Sequence, residues 1–396
     1  MDTSPAVRGL VCMDCAAAFD PADQTHRCPD CDGFLTVEYD LDSVDVTADE
    51  LADRRFEGLA RYAELLPLSR ETLVSMGEGT TPLVECPTLA EAWGVGQVYV
   101  KDESRNPTGS VTDRGLALAV SAACANGATD VALPTTGTAG QSAAAYAARA
   151  GLAAHAFVPA RSPHGTKAMI NVHGGEMSVV GSRFDDAVEA FEDAAAEEDW
   201  HSVAAFETPY RVEGRKTLAY EIAEQLDWTA PDAVVSPTGQ GIGLVGLQAG
   251  ATELSALGLV DGAPALYAAQ AEGCAPIVEA FEDGRDEHDP VETPDTICGD
   301  VEVADPAGGS LALDAIRESD GGAVATEDAA CLESAVAVAG DEGVEVGAGS
   351  APAVSGAQAL AEDGEFDADD TVVVVNTVAA DKEADVLRSH LMSKGI

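Results

Sequence analysis

Short apolar segments that alternate with alanine-rich segments constrain the fold of this chain more than any other feature. The apolar segments predict strands near residues 98–100, 130–133, 154–158, 177–180, 233–235, 265–268 and 371–375. Helices are predicted between them at 115–126, 139–150, 184–195, 217–225, 275–281, 326–338 and 352–361. Strands this short and apolar are typical of parallel sheets covered by helices on both faces. The fold class is therefore α/β, with the Asp/Glu/Pro-rich stretch 282–305 predicted as a loop or linker.

Four cysteines near the N-terminus form two C-x-x-C pairs, Cys12 with Cys15 and Cys28 with Cys31. Two such pairs can direct four thiolates at one ion, which leaves no open coordination position. Disulfides are disfavoured in a reducing cytosol, and a redox C-x-x-C does not need a second copy. The pattern therefore predicts structural zinc in a small ribbon. The other five cysteines are predicted to be small core residues: Cys86, Cys124, Cys274, Cys298 and Cys331.

The charge is strongly negative, with 70 acidic against 21 basic residues and a net charge of −49 among 396 residues. The acidic residues are dispersed, which indicates a solvated surface and not an acidic tail. At roughly 1 M salt the Debye length is about 3 Å, so their mutual repulsion would be screened. We therefore expect a protein of a salt-loaded cytosol, such as a halophile has. Without a basic stripe, nucleic acid is not an expected partner.

Neither a membrane span nor a secretory signal is predicted. No run of about 18 uncharged apolar residues occurs, and the first residues lack a basic region followed by an apolar stretch. The expected location is cytoplasmic.

Three glycine-bearing turns each link a predicted strand to a predicted helix, at residues 106–110, 135–140 and 238–243. Such turns can place backbone N–H groups and a helix dipole on an anion. One such turn is equally well a helix cap. Three in one α/β chain favour a phosphate-bearing or other anionic ligand.

Besides the cysteine ribbon, several sequence blocks follow one another in a fixed order: Arg-Tyr-Ala-Glu-Leu-Leu-Pro at 61–67, Gly-Glu-Gly-Thr-Thr-Pro-Leu at 77–83, Val-Lys-Asp-Glu at 100–103, Glu-Gly-Arg-Lys-Thr at 213–217, and Gln270 followed by Gly-Cys-Ala-Pro at 273–276. In this order the blocks resemble the threonine synthase family, whose members are fold-type-II enzymes that use pyridoxal phosphate (PLP). The resemblance runs from residue 8 to about residue 390 and implies two parallel-sheet domains behind the ribbon. It implies a ribbon at 1–40, a large cofactor domain at 41–115 and 205–396, and a small mobile domain at 116–204.

One departure from the family concerns the residue that binds the cofactor. The family block reads Asn-Pro-Thr-Gly-Ser-Phe-Lys-Asp-Arg-Gly, and its lysine holds PLP as an imine. Residues 106–115 read Asn-Pro-Thr-Gly-Ser-Val-Thr-Asp-Arg-Gly, which places Thr112 at the lysine position. A hydroxyl can neither form a Schiff base nor act as an amine base. No catalytic residue is therefore assigned.

The phosphate loop of the family, Gly-Asn-Gly-Gly, also differs here. Gly239, Gln240, Gly241 and Ile242 stand in its place, and the branched side chain of Ile242 is expected where backbone should approach a phosphate. Gly239, Gly241 and Gly243 could still present N–H groups to an anion, with Gln240 beside them.

Other cofactor contacts of the family are changed as well. Thr138 replaces an asparagine beside the ring hydroxyl, whereas Thr377 keeps the position that faces the pyridine nitrogen. Val378 and Ala380 replace two glycines after Thr377, which is expected to narrow the space for the ring. A Glu-Pro pair has become Gly-Ala at 347–348.

Another lysine could in principle replace the missing one. Four of the five lysines fall where the family also has lysine in addition to the catalytic one, and the fifth lies in the C-terminal tail: Lys101, Lys167, Lys216, Lys382 and Lys394. Structural or phosphate-neutralising roles are favoured for them, with Lys101 as the one candidate for a relocated Schiff base.

Three functions therefore stay open. The favoured one is a threonine-synthase-like paralogue that keeps the scaffold, has lost ordinary PLP catalysis and binds a small anion, an amino-acid-like ligand or a partner enzyme. The second is an active PLP-dependent enzyme that uses free PLP or a relocated lysine, either a threonine synthase that converts O-phosphohomoserine to threonine or a related lyase. The third is a zinc-ribbon regulator. PLP, if bound, is expected to be non-covalent, and the residues leave a homo-oligomer open.

Overall fold

The N-terminal segment forms a three-stranded antiparallel sheet in the order β2-β1-β3. The structure is a computed structural model that describes residues 1–23 and 26–395. The C-x-x-C pairs lie at turns beside this sheet. A small apolar cluster that includes Cys12 and Cys28 fills its interior. The strands are β1 Val7–Cys12, β2 Ala18–Phe19 and β3 Leu35–Tyr39.

A six-stranded sheet with the order β12-β11-β10-β13-β5-β4 forms the larger body. All neighbours in it are parallel except β4, which pairs antiparallel with β5 at the edge. Its central strands are buried along nearly their whole length, as expected for a sheet covered on both faces. The strands are β4 Leu83–Glu85, β5 Gln97–Asp102, β10 Ala233–Pro237, β11 Ala265–Ala271, β12 Gly322–Thr326 and β13 Thr371–Asn376.

A second, four-stranded parallel sheet has the order β8-β7-β6-β9. It lies wholly within the stretch predicted as the small domain. The exact division at 116–204, and its mobility, stay predictions. The strands are β6 Asp130–Pro134, β7 Ala153–Pro159, β8 Glu176–Val180 and β9 His201–Ser202.

Thirteen α-helices are present in the described residues, and most of them cover the two parallel sheets. None of these helices is both long and apolar enough to cross a lipid bilayer. The fold class predicted from the sequence, two parallel-sheet α/β bodies behind a cysteine-rich N-terminal segment, is confirmed. The helices are α1 Ala48–Asp53, α2 Pro87–Trp93, α3 Thr112–Ala125, α4 Thr138–Ala150, α5 His164–Val172, α6 Phe184–Ala195, α7 Tyr210–Gln225, α8 Ile242–Ala256, α9 Pro276–Glu282, α10 Gly309–Glu318, α11 Asp328–Asp341, α12 Ala351–Glu362 and α13 Ala384–Ser393.

Two predicted helix starts were wrong. Helix α7 begins at Tyr210 and not at 217, because its polar first turns are buried against α3 and α8 and form buried ion pairs there. The helix predicted at 326–338 begins at Asp328, since Thr326 ends strand β12.

The stretch 282–305, predicted as a loop or linker, is a loop. Asp300 and Glu302 within it pack into the body of the protein.

Candidate functional site

A cavity of about 230 Å³ lies at the carboxyl ends of β10 and β13, where the N-termini of α3, α4 and α8 also meet. Ligand sites of parallel α/β sheets form at this edge because the loops that follow the strands converge there. Every position that the sequence assigned to cofactor or catalytic roles lines this cavity: Thr112, Thr138, Gly239, Gln240, Gly241, Gly243 and Thr377.

Thr112 is the first residue of α3 and is nearly buried at the cavity wall. Its Oγ1 lies 3.1 Å from Ser110 Oγ and 3.4 Å from the carbonyl oxygen of Thr138. Either neighbour can accept the one hydrogen bond that this hydroxyl donates, and neither carries a charge. The position therefore offers a weak hydrogen-bonding group and no nucleophilic amine.

The loop 239–243 leads from β10 into α8. Gly241 has a φ of 87°, and a Cβ added there would lie 2.8 Å from the carbonyl oxygen of Gly308, so this position requires glycine. The Gln240 side chain accepts a hydrogen bond from the N–H of Ala307 at 2.7 Å, which fixes the loop against the next segment. In the described part of the chain, no protein acceptor is found for the backbone N–H groups of residues 239–243.

Two expected obstructions of the cavity are absent or reduced. Val378 does not line the cavity, because its side chain packs against Gly347. A Cβ at position 347 would lie only 2.7 Å from Val378 Cγ1. The loss of a side chain at 347 thus makes room for the gain of one at 378. Ile242 does line the cavity, but it also packs into an apolar cluster with Phe34 and Phe206.

Asp300 brings a carboxylate to the same cavity, and the sequence prediction missed it. Thr138 Oγ1 donates to its Oδ1 at 2.9 Å, and Thr136 Oγ1 donates to the same atom at 3.2 Å. Burial raises the pKa of Asp300 above its ordinary range. Thr138, expected beside a cofactor ring hydroxyl, therefore directs its hydroxyl at a carboxylate of the protein.

Arg211 and Arg215 lie one turn apart on α7 and also line the cavity. Each is only 5–6% exposed. Arg211 donates one weak bond, from Nη1 to the carbonyl oxygen of Val203 at 3.3 Å, and its Nε has no partner. Arg215 makes no hydrogen bond or ion pair with any described residue. Burial lowers the pKa of Arg211 to about 10, and burial together with the nearby Arg211 lowers that of Arg215 to about 9.

A second group of buried charges lies behind the cavity wall and is fully paired. Arg114, which is wholly buried, donates to Glu103 at 2.7–2.8 Å and to Glu221 at 2.7–2.8 Å. Lys101 Nζ donates to Glu221 at 3.0 Å and to Gln225 at 2.7 Å. The two cations hold the pKa of Glu221 well below its usual range despite its burial. We call these four charged residues, Lys101, Glu103, Arg114 and Glu221, the closed network.

The four ribbon cysteines converge on one point. Their Sγ atoms all lie within 4.8 Å of one another, with 3.5 Å between those of Cys12 and Cys31 and 3.6 Å between those of Cys15 and Cys28. A tetrahedral site with metal–sulfur bonds of about 2.3 Å separates its sulfurs by roughly 3.8 Å. In each pair the first cysteine's carbonyl accepts a hydrogen bond from the residue four positions on, Ala16 or Asp32. This cluster could hold a metal ion.

The sequence analysis did not identify Asp300, Arg211 and Arg215 as residues of the cavity. Asp300 was hidden in an acidic stretch predicted as a linker. Arg215 occupies the variable position of the Glu-Gly-x-Lys-Thr element, so the motif gives it no role. Arg211 and Arg215 also lie before residue 217, where the sequence predicted the helix to begin, so no sequence signal pointed to their burial.

Comparisons with known proteins identify the family of this chain. Residues 74–378 match the family described as pyridoxal-phosphate dependent enzyme. A threonine synthase of Methanosarcina acetivorans is 36% identical over 93% of this chain and 90% of its own length. That of Methanocaldococcus jannaschii is 34% identical over 94% and 93%.

Solved structures show the same fold at lower identity. Diaminopropionate ammonia lyase from Escherichia coli has a TM-score of 0.70 at 20% identity, covering 81% of this chain and 89% of its own. Maize serine racemase has a TM-score of 0.67 at 16% identity, covering 80% and 94%. The chain therefore belongs to the pyridoxal-phosphate-dependent enzyme family, and within it to the threonine-synthase-like members.

Proposed function

We propose that this chain is a diverged threonine-synthase-like protein that binds a small anionic or amino-acid-like ligand without Schiff-base chemistry. The observation that carries the proposal is the cavity wall. It lies at the carboxyl ends of β10 and β13 and has Thr112 where the family motif has its lysine, and none of the residues that line it is a lysine.

Each of the five lysines has a partner elsewhere. Lys101 lies in the closed network. The other four make short contacts with protein acceptors: Lys167 with the carbonyl of Ala160 at 2.5 Å, Lys216 with Glu213 and Glu253 at 2.6 and 2.9 Å, Lys382 with Gln141 at 2.5 Å, and Lys394 with Glu333 at 2.6 Å. Lys101, the candidate for a relocated Schiff base, is 0% exposed and held by three acceptors.

The residues present fit only one end of PLP. The free N–H groups of residues 239–243 fit a phosphate. No amine reaches the cavity to hold the aldehyde, and Asp300 adds a negative charge near the Thr138 position, which in the family faces the ring hydroxyl. Covalently held PLP does not fit this site, and we route no chemistry through it.

Borohydride reduction in the presence of PLP, followed by mass mapping, tests the proposal. We expect no pyridoxyl adduct on a cavity residue of the parent chain. Thr112→Lys is the control variant, because it restores the family's lysine. A pyridoxyl adduct at position 112 in that variant alone would show that the missing amine is what prevents Schiff-base formation in the parent chain. A reduced adduct at Lys101 or Lys382 of the parent, with threonine formed from O-phosphohomoserine, would establish the alternative, an active threonine synthase.

We further propose that the Cys12–Cys15–Cys28–Cys31 cluster holds structural zinc. Four thiolates leave no position for substrate, and Phe34 beside the cluster packs on Phe206 with ring centroids 5.2 Å apart, so the ribbon is tied to the body. Metal analysis should give one zinc per chain. Cys15→Ser with Cys31→Ser should abolish zinc retention, whereas Cys124→Ser, outside the cluster, should not.

The charge of −49 supports a third proposal, adaptation to a salt-loaded cytoplasm. Screening of dispersed like charges should raise the midpoint of thermal unfolding steadily as KCl increases. A midpoint that is independent of KCl from dilute to molar salt would contradict this proposal.

A further inference from the structure

One residue beside the cavity wall has a backbone conformation that its residue type disfavours. Phe206 has a φ of 61°, in the left-handed region where bulky residues are rarely found. Its neighbours Ala204, Ala205 and Glu207 line the cavity, whereas Phe206 itself does not. A residue keeps such a conformation only where its surroundings hold it. The contacts of Phe206 therefore determine the shape of this part of the wall.

The ribbon holds Phe206 from one side. The Phe206 side chain is 1% exposed and forms an edge-to-face pair with Phe34, with ring centroids 5.2 Å apart and ring planes at 70°. Phe34 is fixed within the ribbon, because its carbonyl oxygen accepts a hydrogen bond from the N–H of Met13 at 3.0 Å. Arg27 donates a hydrogen bond to the carbonyl oxygen of Phe206 at 3.3 Å. The ribbon thus contacts both the ring and the backbone of Phe206.

On its other side, the Phe206 ring contacts the segment that supports the 239–243 loop. The ring occupies the space that a side chain at position 308 would need, so this close approach requires Gly308. The N–H of Gly308 donates to the carbonyl oxygen of Gln240 at 3.2 Å. Ile242, which lines the cavity, belongs to the same apolar cluster as the two phenylalanine rings. A displacement of Phe206 would therefore reach the 239–243 loop as well as residues 204–207.

We propose that the ribbon is a positioning element of the cavity and that Phe34 and Phe206 are its positioning residues. Phe34 keeps the Phe206 ring outside the cavity and the Phe206 backbone left-handed, and Phe206 in turn supports Gly308 and the 239–243 loop. No described residue of the ribbon lines the cavity, so the ribbon acts through its contacts with the wall. This role concerns the architecture of the cavity and not its ligand, and it therefore goes beyond the proposed function.

Hydrogen exchange measured by mass spectrometry in concentrated KCl tests this role. Phe34→Ala should raise the exchange rates of peptides covering 203–212 and 239–245 roughly two- to tenfold, as the loss of one edge-to-face aromatic pair predicts. The exchange of α11 should not change. Phe34→Leu, which keeps most of the apolar volume, should give a smaller rise, and it replaces the alanine variant if that variant does not fold.

The matched control is Phe366→Ala. Phe366 is also buried and forms an edge-to-face pair with Tyr267, with ring centroids 5.5 Å apart, but neither residue lines the cavity. This variant should exchange as the parent does at 203–212 and 239–245.

A double variant separates positioning from general stability. In Phe206→Gly the ring is absent and a left-handed φ has no steric cost, so adding Phe34→Ala should raise exchange at 203–212 no further. An additive rise in the double variant, no rise in either Phe34 variant, or an equal rise in Phe366→Ala would overturn the proposal. The borohydride experiment tests the proposed function separately, and its result does not depend on these exchange rates.

Discussion

Helix α7 contributes residues to two groups of buried charge that differ in how the charges are paired. Glu221 lies in the closed network, where two cations and two carboxylates are matched at 2.7–3.0 Å. Arg211 and Arg215, near the start of the helix, are 5% and 6% exposed and have no carboxylate within 4.0 Å among the described residues. We call these two arginines the unmatched pair. The closed network does not line the cavity, whereas the unmatched pair does.

The largest effect is expected from breaking the closed network. Arg114→Ala leaves Glu103 and Glu221 buried without their main partner. Removing one member of a buried ion pair costs about 3–5 kcal/mol. Urea unfolding in concentrated KCl measures the loss. Arg105→Ala, at a side chain 66% exposed, should cost much less. Equal losses of stability in Arg114→Ala and Arg105→Ala would show that the closed network contributes no more to the fold than an exposed ion pair does.

The next prediction concerns Glu383, a buried carboxylate that accepts its hydrogen bonds mainly from backbone N–H groups. Gly349 N–H donates to it at 2.8 Å, and burial together with Asp300 raises its pKa to about 7. The unfolded chain loses this proton near pH 4.5 and the folded chain near pH 7, so this group's contribution to the free energy of unfolding falls as pH rises between those values.

Glu383→Gln should remove the contribution of this carboxylate to the pH dependence of the free energy of unfolding. Relative to the parent, the variant should gain stability as pH rises from about 5 to about 8, by up to about 3 kcal/mol at roughly 1.4 kcal/mol per pKa unit. Urea unfolding at a series of pH values measures the difference. A constant difference between variant and parent would show that Glu383 is ionised at every pH tested.

The smallest effect, and one of opposite sign, is expected at the unmatched pair. Arg215→Met replaces an unpaired buried cation by an apolar side chain of similar length. Without ligand, we expect the free energy of unfolding to rise by about 1–2 kcal/mol. A loss comparable to that of Arg114→Ala would mean that Arg215 supports the fold, and the contrast between the two ends of α7 would disappear.

Much of the fold was predictable because its signals are local. Short apolar strands and alanine-rich helices follow from periodicity, and each C-x-x-C spacing brings its own two cysteines together, Cys12 with Cys15 and Cys28 with Cys31. The boundary of α7 was not predictable in this way, because its polar first turns are helical only where α3 and α8 bury and pair them.

By itself, the sequence determined that Thr112 stands where the family has its lysine and that the other assigned cofactor positions are Thr138, the loop 239–243 and Thr377. The tertiary structure decided what surrounds them. It placed all five lysines outside the cavity wall and brought Asp300 from a distant acidic stretch onto Thr138. It also left Arg211 and Arg215 with no carboxylate of the described residues within 4.0 Å. The reason is physical: a residue's type is local, but whether its charge is paired depends on which distant segments fold against it.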